Sequence, residues 1–199
     1  MTRAVVAWDL RGDSMTRAAS PASRKAMGTT FVTLSRETSG KEPGFWMRDG
    51  MLEIWLRLLA LHLPEPTDSG QHKATLKIRN QWLLASRGYF GGCVPHGMED
   101  ACATQEGRAV VRMAIDSVLG ALQDAKTPLD AETLNLLGIE GGQFTKIEGG
   151  QFTKSIDRKW LQEIGYAFLD LLDGEISGVA SSTEIMPGST PHKRSITNG

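Results

Sequence analysis

Residues 45–63 read FWMRDGMLEIWLRLLALHL, and the periodicity assigned to that stretch decides the fold. Its apolar residues point in almost every direction of a helical wheel, so a helix here must be covered by neighbours on several sides. Asp49, Glu53 and Arg57 step by four, which stacks them on one narrow stripe of such a helix and predicts a solvent-facing seam. The stretch is long enough to span a bilayer, but Arg48, Asp49, Glu53 and Arg57 all fall inside it, at a cost of several kcal/mol in lipid. It is therefore expected to be the central helix of a small all-α domain, with no membrane association.

Working outward, Pro64 and Pro66 disfavour helical geometry just before them and end the segment at Leu63. A second helix is predicted over residues 72–88, with Ile78, Trp82, Ala85 and Tyr89 at helical spacing. Residues 87–103, RGYFGGCVPHGMEDACA, are punctuated by glycine and proline and read as an irregular loop with a short helical turn at 98–103. Thr104 suits the N-cap of a third helix carrying an apolar stripe from Val110 to Leu122. In TPLDAETLNLLG, Thr127 is the expected cap, Pro128 the first helical residue and Gly138 the exit of a fourth. Ser155 is the expected cap of a fifth, with Trp160, Leu161, Ile164, Phe168, Leu171 and Leu172 on its apolar face and Gly174 as its stop. Between the last two lies a perfect tandem duplication, IEGGQFTK at 139–146 and again at 147–154. Two copies of eight residues are too few and too short for a solenoid, so they read as a lengthened connector.

These elements make an irregular bundle of about five helices over residues 44–176. Residues 1–43 and 177–199 lack sustained periodicity and are expected to be a disordered or loosely docked arm and a disordered tail. Thr29 to Leu34, TTFVTL, has strand composition but no obvious pairing partner.

The net charge of −1 conceals a division. Residues 1–43 carry seven Lys/Arg against four Asp/Glu, whereas residues 44–176 carry thirteen against eighteen. An acidic body argues against nucleic-acid binding, which needs a basic surface to neutralise phosphates. Two cysteines in a chain of 199 residues do not make a disulfide framework, and a reducing cytoplasm is the expected compartment. Phosphate-binding loops, zinc-protease and serine-hydrolase motifs are absent.

Two functional readings follow. Arg79 and Arg87, with Tyr89, Phe90 and His96, form an arginine and aromatic set of the kind enriched at protein interfaces. They point to a protein-binding module, either an adaptor or an immunity-type inhibitor of another protein, with no cofactor and no metal. The alternative is an enzyme or metal-binding protein built on the loop that carries Cys93, His96 and Cys102.

Overall fold

A computed structural model describes residues 28–37, 39–65, 69–87, 93–124, 129–137, 155–183 and 185–186, with backbone alone at 69–72 and 185–186. The chain is mostly helical, but it is not all-α. The described residues form a three-stranded sheet, β1 (Thr29–Thr33), β2 (Gly44–Arg48) and β3 (Ile185–Met186), in the order β1-β2-β3. They also form six helices: α1 (Asp49–His62), α2 (Ser69–Ala85), α3 (Met98–Ala101), α4 (Gln105–Asp124), α5 (Ala131–Leu136) and α6 (Arg158–Asp173).

The central stretch is thus a strand followed by a helix. Over β2 the burial alternates: Phe45 and Met47 are fully buried, Trp46 lies half-buried between them, and Arg48 is exposed. That is the two-residue period of a strand, which an apolar run of five residues does not distinguish from a helical turn. β1 supplies the pairing, antiparallel from Thr29 opposite Arg48 to Thr33 opposite Gly44. β3 adds to the other side in parallel, with Trp46 opposite Ile185. Gly44 is required by this packing, because a Cβ there would lie 2.2 Å from the Val32 carbonyl oxygen. Residues 29–33 are therefore a paired strand and not a loose arm, and both boundaries of the 44–176 unit cut through one hydrogen-bonded sheet.

α1 is the core element that the sequence points to. Eleven of its fourteen residues are buried; α2 and α4 pack on it, and α6 packs on α4. Trp55 lies 5.7 Å from the ring of Phe168, which also meets Phe45 edge-on at 5.5 Å. Gly165 allows α6 this close approach, since a Cβ there would lie 2.8 Å from Trp55 and 2.7 Å from Leu119.

The predicted solvent stripe is wrong. Asp49 and Glu53 are 6% and 3% exposed, and Asp49 lies against β1, whose Thr30 hydroxyl donates to it. Other boundaries shift less. Thr104 caps α4 by accepting the Gly107 N–H at 3.0 Å, as expected. α5 is capped by Asp130 and α6 by Asp157, not by Thr127 and Ser155. Gly174 ends α6 in the left-handed region with φ 76°. Trp160 leaves the apolar face of α6 and is 46% exposed. The duplicated octapeptide, Thr127 and Gly138 lie outside the described residues.

Candidate functional site

Of the interface residues singled out by sequence, Arg79, Arg87 and His96 are described, and Arg79 and His96 hold the fold together. Arg79 reaches from α2 to the end of α1, where its Nε donates to the Ala60 carbonyl at 3.3 Å and its Nη2 to Leu63 at 3.2 Å. The last carbonyls of a helix have no intrahelical donor, so Arg79 serves as their cap; Glu65 stands 3.5 Å away on its solvent side. Arg87 follows α2 at the surface and is exposed. Tyr89 and Phe90 lie outside the described residues. His96 is only 7% exposed, which withdraws it from any direct contact surface.

His96 instead ties three elements together. Its carbonyl accepts the Trp82 indole N–H from α2 at 2.8 Å. On the ring, Nε2 lies 3.3 Å from the Phe31 carbonyl of β1, and Nδ1 lies 3.1 Å from the Met98 N–H that opens α3. A carbonyl only accepts and a peptide N–H only donates. These two contacts suit an imidazole carrying its proton on Nε2, while Glu99 Oε2, 3.2 Å from Nδ1, suits a ring protonated there as well. Beside it, Val94 N–H donates to Thr30 Oγ1 at 2.7 Å, and that hydroxyl donates to Asp49 Oδ1 at 2.8 Å. The loop, the sheet and α1 are thus linked through one threonine. Gly97 makes the turn into α3 with φ 61°, where a Cβ would collide with Gln81.

Cys93, His96 and Cys102 do not converge. Cys93 is exposed and Cys102 buried, both as free thiols. Burial pushes the Cys102 thiol up to about 11, with Arg108 acting against it and Glu99 adding to it; such a thiol is inert at neutral pH. Among the described residues no three His, Cys, Asp or Glu side chains are placed to hold a metal ion. Cys93 and His96 do share a cavity of about 310 Å³ with Phe31, Trp46 and Glu99. Both nitrogens of His96 are already engaged there, so it is not free to act as a base toward the thiol.

A second cavity was not legible from motifs. It is an open groove of about 670 Å³ in which Ala74 and Ile78 of α2 face Val110 and Met113 of α4, with Ala101 of α3 at one end. α2 and α4 both pack on α1 and leave this trough between them. Met113 is 50% exposed. The rim is polar but balanced: Asp100 pairs with Arg36 at 2.8 Å and Glu65 with Arg79 at 3.5 Å, leaving Lys77 and Glu106 of opposite sign. The one available signal was the apolar stripe of α4, which is wider than the part it buries: Val110 and Met113 extend it beyond Val111, Ala114 and Val118.

The chain matches no family model, and no curated protein or solved structure matches it. Among the described residues no helix is long and apolar enough to cross a membrane.

Proposed function

We propose that this chain is a protein-binding module, an adaptor or an inhibitor of the immunity type, which receives an apolar segment of its partner between α2 and α4. The observation that carries this reading is the groove itself. It is apolar along its walls, polar at its rim and open to solvent over Met113, the arrangement by which a helical segment docks through side chains at i, i+3/i+4 and i+7. The interface set moves accordingly. Arg79 supports the floor by capping α1, and the contacts shift to Ile78, Val110 and Met113. Two free thiols, one of them exposed, suit a reducing cytoplasm.

The test is affinity capture from the native host on the full chain, followed by titration of the purified partner into wild type and Met113→Arg. A charged side chain at the groove centre should weaken binding at least about tenfold, the order of a single hot-spot loss. Equal affinity of the two proteins for the same partner would remove the groove from the interface.

A further inference from the structure

The imidazole of His96 has two candidate partners on one nitrogen. Nδ1 lies 3.1 Å from the Met98 N–H and 3.2 Å from Glu99 Oε2. No single protonation state serves both. With Nδ1 unprotonated, its lone pair accepts from Met98, and the carboxylate facing it is a second acceptor. Glu99 Oε2, a buried atom, then has no hydrogen-bond donor among the described residues. With Nδ1 protonated, it donates to Glu99 in a charge-assisted bond, and the Met98 N–H loses its acceptor. Nε2 keeps its proton in both states and holds Phe31 throughout.

We infer that His96 is a proton-operated switch, trading the Met98 amide for the Glu99 carboxylate and so resetting the start of α3. Imidazoles change charge between about pH 5 and 8, the range in which such a trade is accessible. Among the described residues the charged and titratable surroundings of His96 are few. Glu99 and Asp100 come from α3, and Arg36 comes from the segment after β1, where it pairs with Asp100. Cys93 lies across the shared cavity, and Asp49 of α1 stands behind Thr30. From β2 and α2 the neighbours are uncharged, Trp46 and Trp82. Glu99 is therefore the group that receives the imidazolium. Burial pushes its carboxyl up, but the hydrogen bond and charge of His96 and the charge of Arg36 outweigh this and hold it below the usual range.

The consequence reaches the groove, because Asp100 and Ala101 of the same short helix line it. That last step rests on the groove being the binding surface; the switch itself does not. The experiment is an NMR titration of the full chain from pH 8 to 5, following the ring nitrogens of His96 and the amides of Met98, Asp100 and Ala101. Nδ1 should pass from acceptor to protonated while Nε2 stays protonated, and the Met98, Asp100 and Ala101 amides should move with the same midpoint. In Glu99→Ala that midpoint should fall, because the opposite charge beside Nδ1 is gone. Glu99→Gln, closer in shape, should lower it in the same direction. An unchanged midpoint in both variants, or a Met98 amide that ignores the titration of His96, overturns the switch. If Met98 moves and Asp100 and Ala101 do not, the switch stands and its link to the groove is overturned; neither result depends on whether a partner is captured.

Discussion

The two buried sides of α1 are held in opposite ways. On one, Trp55 packs with Phe168 and against Gly165 and Leu119, and the contact is apolar except for an indole N–H without a partner among the described residues. On the other, Asp49 and Glu53 are buried, and Asp49 receives the Thr30 hydroxyl of β1. The first side is stabilised by the area removed from water, which does not change with pH. The second carries Glu53, whose burial favours its neutral form. The helix is thus anchored by its apolar side and sensitive to protons on its acidic side.

That contrast can be broken at three points. The largest effect belongs to Trp55→Ala, which should cost about 3–5 kcal/mol as a cavity in a packed core, equally at pH 5 and pH 8 in urea unfolding. A pH-dependent loss would mean that the two sides are not separate.

Glu53→Gln comes next, and its sign is opposite. Burial first, and the charge of Asp49 second, raise the Glu53 carboxyl from 4.5 to about 7. The folded state therefore holds a proton that the unfolded chain gives up. Below pH 4.5 both states are protonated and the cost is absent; stability falls as pH rises through the window from 4.5 to 7. The amide removes that loss, so the variant should be more stable than wild type by about 3 kcal/mol at pH 8 and nearly equal to it at pH 4. Parallel stability–pH curves for the two proteins would show that Glu53 does not titrate in this window.

The smallest of the three is Thr30→Val, about 1–2 kcal/mol. It removes the acceptor of Val94 N–H and one donor to Asp49 while keeping the side-chain shape. Hydrogen exchange at Val94 should quicken more than exchange within α4; uniform quickening would mean a global loss and no specific link between loop and helix.

The same contrast separates what was readable in the residues. The Thr104 cap and the Gly174 stop are local features, and the capping geometry repeats them. Ile164, Phe168, Leu171 and Leu172 likewise lie inward, because an apolar stripe at a 3.6-residue period has only one way to leave water. The prediction failed at Trp160, which the helix start at Arg158 leaves near the surface. It failed more seriously at the acidic stripe, because charge predicts exposure only when no other element competes for the face.

The sequence by itself determined that α1 is the element around which the others pack, since a segment apolar on nearly every side has no stable place at a surface. Tertiary structure alone decided that the five residues before it, Gly44–Arg48, form a strand, because their extended backbone is stabilised by β1 and β3, from fifteen residues upstream and well over a hundred downstream. It also decided that Glu53 lies inside, that His96 bridges Phe31 and Met98, and that α2 and α4 leave a groove between them. Each depends on contacts between residues distant in the chain, and no local period encodes those.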